Sequence, residues 1–568
     1  MKLKKRNLIR KRFFSSGFFM FVFVFLSCGT ALAQVIPSDR IIDWSQIGVV
    51  GGIPDRQIIY TSLKPGATAA QINAAITDCP ANQVVYLNAG NYNLTATISL
   101  KSDMTLRGAG PDSTVLIFIA DLERNLSIYG GRTDGTNGGI DIVSGHTKGS
   151  SQLMLSNASD FVPNNYVYIS ELNDPSLPVV VSNTNGKCGW CGIYGTNGTR
   201  ARLQLSKVTS VSGNTITISP PMFYTFSGAN APQALKVEAT YVKYAGIENL
   251  TVKNAGTTLT TSRKGIEIQG AANCWVRNVK IEKGGKRGID IWFDVFHNEI
   301  RECLFSGVID QKSSDNYALQ IENGTGNLIE NNIFSNTANG ILTVSAAGNV
   351  FGYNYMHGVH RTNVSSTWFW PDTWTHGGHS SFNLWEGNDE TALEWDYYWG
   401  SNSHNLAFRN RFHGRDTTLS YDLAKLQTVG TILNYPDNNY MSELGNVLGT
   451  SGFHNKYEET EYRTVSRPIW VTVRSAFGTT TDKGFNTMLR HMNYDYYTNS
   501  VKHCGDEGEP GCQGGDGSTI LPASLYLLQK PAWFGNVPWP PIGPDVVGYT
   551  NKIPAQLRFD AINVRLVD

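Results

Sequence analysis

The chain has 568 residues and carries 47 Lys plus Arg against 47 Asp plus Glu, so its formal charge is zero. That balance excludes the electrostatic footprint of a nucleic-acid binder or of a protein held on an anionic membrane surface. Only 17% of residues are charged while glycine numbers 57, a composition of short strands and tight turns rather than of helices.

Residues 2–12 are basic, residues 18–26 form an unbroken apolar run, and Ala31, Leu32 and Ala33 give the small-x-small pattern of a signal peptidase site. Residues 1–33 are read as a signal peptide cleaved after Ala33, which predicts a secreted or periplasmic protein. No later stretch approaches the ~20 apolar residues of a membrane span. Seven of the eight cysteines follow that site, in a compartment where disulfides persist. Cys188 with Cys191, and Cys504 with Cys512, are expected to form local disulfides. Cys274 and Cys303 are expected as buried thiols, and Cys79 has no obvious partner.

In residues 34–140 the apolar spacing of 69–77 predicts a short helix, followed by strands near 84–87 and 104–107. That helix suits the open end of a stack of strands, whose exposed edge would otherwise pair with other chains. Residues 141–235 are expected to be an inserted β-hairpin region, with strands near 167–170, 203–205 and 214–219.

Residues 236–450 contain the informative pattern. Alternating segments recur at 247–252, 276–281, 300–305, 329–334, 351–356 and 407–412. The step from Val252 to Ile281, Phe305, Phe334 and Met356 is 22 to 29 residues. A second strand type interleaves at 265–268, 288–291, 318–321, 340–343 and 382–385. A repeated two-strand unit with Gly and Asn corners and no helix between is a solenoid coil. Asn249, Asn278, Asn331, Asn354 and Asn410 suit the left-handed corners of such coils. A long loop over 361–400 interrupts the period, and residues 451–568 are expected to pack on the solenoid as a tail.

These features together resemble the pectin-lyase-like superfamily, and residues 71–107 resemble the cap and first coil of its pectate-lyase-like and rhamnogalacturonase-like members. The resemblance spans about residues 57–415. It implies an all-β chain folded as a right-handed single-stranded parallel β-helix with a short N-terminal capping helix. The family's catalytic motifs are matched only loosely. Lys286 and Arg287 stand where polygalacturonases carry Asn-x-Asp, the paired-Asp motif meets only Asp315 and Asn316, and Gly-His-Gly meets only residues 376–379.

With Ile266/Ile268, Ile289/Ile291, Leu319/Ile321 and Phe382/Leu384 pointing inward, two outward columns follow. One holds Glu267, Asp290, Gln320, Leu342 and Asn383; the other holds Gln269, Trp292, Glu322, Val344 and Trp385. A one-residue slip would turn any strand over. Elimination from a uronate polymer needs the substrate carboxylate neutralised and a base for the C5 proton. Glu267, Asp290 and Glu322 are candidate Ca²⁺ ligands, and Lys264, Lys286 and Arg287 candidate bases or carboxylate clamps. Trp292 and Trp385 are candidate sugar platforms. The long loop and its approach add Asp315, Trp368, Asp372, His376 and His379, the two histidines as bases or metal ligands.

The preferred expectation is a polysaccharide lyase acting on an acidic polysaccharide, as a monomer. Hydrolysis by a Glu267–Asp290 carboxylate pair stays open. So does a non-catalytic carbohydrate-binding or surface-structural β-helix whose charges only form salt-bridge ladders. The acidic loop from Cys504 to Asp516 lacks calcium-loop spacing and reads as a solvated disulfide loop.

Overall fold

The computed structural model describes residues 35–177, 188–255, 264–307, 316–361, 369–415, 427, 429–461, 464–476 and 479–567. The segment read as a signal peptide lies outside them.

Short apolar strands stack in parallel on three faces. One ladder opens with Ile59–Leu63, Gln83–Leu87 and Met104–Gly108 and continues through Gly246–Asn254, Trp275–Glu282, Glu299–Arg301 and Leu328–Glu330 to Leu489–His491. A second contains the periodic residues in register: Val252 opposite Ile281, then Phe305, Phe334 and Met356. The third runs from Ile98–Leu100 and Arg124–Tyr129 through Lys264–Gln269, Arg287–Phe296, Tyr317–Thr325, Asn339–Val344 and Thr373–Gly377 to Pro468–Ala476. The chain is a parallel β-helix whose interior is one continuous column of Ile, Leu, Val, Phe and Trp. Parallel strands buried in this way bring together residues far apart in sequence.

The corners are held by stacked amides. Asn298, Asn327, Asn349, Asn383 and Asn405 form one buried ladder, and Asn332, Asn354, Asn388, Asn410, Asn446 and Asn493 another. Each backbone N–H and side-chain amide donates to the Oδ1 of the next Asn at 2.9–3.2 Å. Buried amides are tolerated because every rung satisfies its neighbour. Asn249, Asn278 and Asn331 do adopt left-handed corners, whereas Asn354 and Asn410 belong to the ladder and Tyr353 and Arg409 take the left-handed position beside them.

Ala69–Asp78 is the capping helix, started by a capping box between Thr68 and Gln71. It buries Ala69, Ile72 and Ile76 against the first coils. The inserted region is a closed six-stranded antiparallel barrel rather than a set of hairpins, formed by Ile140–Ser144, Gln152–Leu155, Tyr166–Ser170, Leu203–Ser212, Thr215–Ser219 and Gln233–Lys236. It docks on the solenoid where Leu205 N–H donates to Thr325 Oγ1 at 3.0 Å and Tyr168 Oη accepts from Asp294 N–H at 2.9 Å. Cys188–Cys191 and Cys504–Cys512 are disulfides, and Cys79, Cys274 and Cys303 are buried thiols. The C-terminal tail packs Tyr526, Phe534 and Val537 on the outside of the first ladder, ending in the helix Pro554–Val567. Among the described residues no helix is long and apolar enough to cross a membrane.

Candidate functional site

The third ladder's outer face carries the first expected column: Glu267, Asp290, Gln320 and Leu342 lie on successive rungs, continued by Trp374 and Glu394. Beside it Trp292, Glu322, Val344 and Gly377 form the second. Ile266, Ile268, Ile289, Ile291, Leu319 and Ile321 point inward as expected. Lys264, Arg287, Tyr317 and Asn339 align at the strand starts.

Above this face lies a cavity of about 1090 Å³. Its floor includes Lys264, Asp290, Trp292, Gln320, Glu322, Leu342, Trp374 and His376. Around it stand Arg132, Lys286, Arg287, Tyr317, Arg361, Trp370, Tyr398 and Trp399, with Trp190 and Tyr194 contributed by the barrel region. A concave, aromatic-lined cleft with a few convergent charges is the form of a ligand site.

Within the floor the charges are sorted. Lys264 is buried, hydrogen-bonded to Glu267, 3.4 Å from Asp290 Oδ2 and 4.0 Å from the Trp292 ring centre. Arg124 Nη1 meets the other oxygen of Glu267 at 2.5 Å. Burial still pushes the Glu267 carboxyl up, but it does not line the cavity. The expected Glu267–Asp290 catalytic pair is therefore corrected, because Glu267 is consumed by two cations beneath the floor. Glu322 does line the cavity. It accepts from Trp292 Nε1 at 2.7 Å and Gln320 Nε2 at 3.3 Å. Burial, then the neighbouring Asp290 charge, push its carboxyl up to about 8. Both effects favour the protonated form of Glu322.

Calcium does not fit the expected ligands. The Lys264 ammonium stands where an ion bridging Glu267 and Asp290 would sit. Among the described residues no three His, Cys, Asp or Glu side chains gather to hold a metal.

Arg287 Nε donates to Gln320 Oε1 at 2.6 Å, and its guanidinium lies 5.1 Å from the Tyr317 ring centre. His376 reaches the cleft, bonded to Asp396 and parallel to Tyr398. Asp396 is itself fixed by the N–H groups of Tyr397 and Tyr398 at 2.6 and 2.9 Å. His379 does not reach it. It is buried, Nε2 lies 2.6 Å from Ser403 Oγ, and burial with the nearby Arg202 charge pushes it down to about 3. Nor does Trp385. It belongs to the first ladder, points inward and stacks on Phe351 at 4.8 Å. Its strand is on a different face from the cleft and one residue out of the expected phase, so Leu384 points to the tail and Asn383 joins the amide ladder. Asp372 is buried and accepts from Thr391 N–H at 2.6 Å. Asp315 and Trp368 lie outside the described residues. The cleft aromatics Trp190, Trp374 and Trp399 and the acid Asp396 escape the sequence reading as site residues, although all four fall in the Trp-rich loop or the Cys188 motif.

The fold and cleft define a class: a right-handed parallel β-helix with a ligand cleft on one ladder. Family models agree, the right handed beta helix region matching residues 235–370 and the rhamnogalacturonase A/epimerase, pectate lyase-like model matching residues 66–293. Across those residues the chain has the right-handed β-helix fold that the two models describe. No curated protein matches it. Among solved structures, the Gp54 tailspike of Acinetobacter baumannii bacteriophage AP22, solved with a capsular saccharide, is similar at 13% identity and a TM-score of 0.46, over 76% of this chain and 67% of that one. The gp49 tailspike of Pseudomonas phage LKA1 is similar at 15% and 0.40, over 66% of this chain and 55% of that one. The A-module of the Azotobacter vinelandii mannuronan C-5 epimerase AlgE4 is similar at 11% and 0.32, over 77% and 98%. This chain spans only about half to two thirds of the two tailspikes.

Proposed function

We propose that the protein is a carbohydrate-active enzyme whose cleft takes an extended polysaccharide and cleaves a glycosidic bond by hydrolysis, with Glu322 as general acid and Asp290 as its carboxylate partner. The observation that carries this reading is the placement of Glu322 and Asp290 on adjacent rungs of an aromatic-lined cleft floor, where burial and the Asp290 charge push the Glu322 carboxyl up. Two carboxyls with divergent protonation are what glycoside hydrolysis requires. Lys264 Nζ lies 3.4 Å from Asp290 Oδ2.

Glu322 gives its proton to the glycosidic oxygen as the bond to the anomeric carbon breaks, so the leaving sugar departs as an alcohol. Asp290 takes a proton from the water whose oxygen bonds to that carbon. The two residues are one rung and two positions apart, about 8 Å between Cα atoms on a parallel ladder. Trp292, on the cleft floor, supplies a flat apolar face for a sugar ring. Lys286, Arg287, Arg132 and Arg361 around the cleft support an acidic glycan.

β-Elimination is the second reading, favoured by the His376–Asp396 pair facing the same cleft as these cations. Incubation with acidic and neutral plant and microbial polysaccharides separates the readings. New reducing ends without ultraviolet absorbance of unsaturated uronyl groups support hydrolysis, and that absorbance would overturn it in favour of elimination. Binding without products would leave a carbohydrate-binding protein. A chelator is expected to leave the rate unchanged.

A further inference from the structure

The inserted barrel does more than decorate the solenoid. Its tip crosses to the cleft at Cys188–Cys191, where the disulfide turns the intervening Trp190 outward: both cysteines are buried while Trp190 is 41% exposed. The tip is built into the cleft rather than resting on it. Gly192 N–H donates to Ser345 Oγ at 2.9 Å, and Asn323 Nδ2 donates to Gly192 O at 2.5 Å. Cys188 and Cys191 share a buried cluster with Leu342, Val344 and Trp374 of the cleft ladder.

Gly377, the rung after Val344, makes this seating possible. A Cβ there would come within 3.2 Å of both Cys191 Sγ and Trp190 Cη2, and within 2.5 Å of Val344 Cγ1. Trp190 meets Trp399 edge to face at 5.6 Å, and both line the cavity. An apolar ring this large, held rigidly at the wall of a cleft with much of its surface exposed, is a recognition surface.

We propose that Trp190, braced by Trp399, is a separate sugar-stacking subsite that the barrel adds to the cleft. It sits over Val344 and Gly377, one and two rungs beyond Glu322 and so up to ~10 Å from it along the stack. The ring it holds is therefore not one flanking the broken bond. Its occupant is a pyranose of the same polysaccharide chain, and its effect is preference for longer chains. The assignment rests on the cleft being a glycan site, but not on which residue performs the chemistry.

The test measures binding alone, on the full-length mature Glu322→Gln protein. Oligogalacturonides, alginate oligosaccharides and neutral xylo-oligosaccharides, each short and long, are titrated by calorimetry. Trp190→Ala on that background is expected to weaken the longer oligosaccharides by roughly 3- to 10-fold, the loss of one stacked ring, and to leave the shorter ones unchanged. Trp190→Tyr, which keeps a ring, is expected to retain most of the affinity, with an unchanged thermal midpoint showing that the tip stays seated. Equal affinity of the Trp190→Ala and parent proteins at every length overturns the subsite, as does failure of the parent to bind any of these probes. If Glu322→Gln still cleaves, the hydrolytic assignment fails while the Trp190 comparison stands.

Discussion

The cleft ladder and the ladder beneath the C-terminal tail are made by the same coils, and both carry buried carboxyls on their outer faces. Under the tail, Glu330 accepts from Tyr526 Oη–H at 2.7 Å and pairs with Arg301, while Glu386 accepts from Tyr353 Oη–H at 2.9 Å and Leu525 N–H at 2.8 Å. Gly352, between them, leaves the space that Tyr526 fills; a Cβ there would come within 2.4 Å of its Oη. Burial pushes Glu330 and Glu386 each up to about 7, much as it pushes Glu322 up to about 8. The protonation shift is therefore common to both faces. What differs is access, since the tail occupies one face and the other holds a cavity. A perturbed carboxyl marks a site only where a ligand can reach it.

The sharpest way to break this comparison is to neutralise one acid on each face. Glu322→Gln is expected to lower cleavage by about 10²- to 10⁴-fold, the range for loss of a general acid. Glu386→Gln is expected to leave kcat/KM within about twofold. Equal losses in the two steady-state assays would mean that access is not the distinction.

Next in size is Trp385→Ala, expected to cost about 3–5 kcal/mol in urea unfolding because it empties the interior of a central coil. Trp292→Ala, at the cleft surface, is expected to cost far less stability while weakening glycan binding. A Trp385 variant of native stability would contradict its place in the core. Tyr526→Phe removes one donor from Glu330 and is expected to cost about 1–2 kcal/mol. Its readout is a lower thermal midpoint without change in activity.

The pH dependence sharpens the same point. Glu322, Glu330 and Glu386 keep protons in the folded chain up to about 8, 7 and 7, whereas in the unfolded chain they release them near 4.5. Between those values the folded state binds more protons, so the stability these groups contribute falls as pH rises. Buried histidines such as His379 and His297, lowered to about 3 and 4, oppose this trend up to about pH 6.5, so the thermal midpoint is expected to drop from about pH 6.5 to pH 8, and Glu386→Gln should flatten that slope without altering the pH–rate profile. Activity should fall as pH rises through about 8, where Glu322 loses its proton. A rate independent of pH across that range would remove Glu322 as the acid.

Much of the fold was legible because a solenoid interior repeats. The apolar pairs at 266/268, 289/291 and 319/321 and the Val252-to-Met356 series mark successive rungs by their spacing alone. The first cleft rungs, Glu267, Asp290 and Gln320, follow from that alternation. The phase fails at the next turns for a local reason. The cleft strand there is Thr373–Gly377, whose inward residues at 373 and 375 are small and polar, so it shows no apolar alternation. Trp385 and Trp395 from other strands help fill the core at that level, meeting edge to face at 5.0 Å. Residues 382–385 carry the stronger apolar pattern and so mimic the missing rung. Glu322 was visible as an outward acid, but its protonation depends on burial and on Asp290 in another coil.

Composition, strand period and corner residues by themselves determined that this chain winds into a parallel β-helix with a capped end, because each rung buries the same face against the last. Only the tertiary structure decided which carboxyl is buried beside Asp290, which tryptophan faces the cleft, and that the inserted strands close into a barrel whose tip walls the site. Those properties belong to distances between coils, and residues separated by scores of positions meet only when the stack is built.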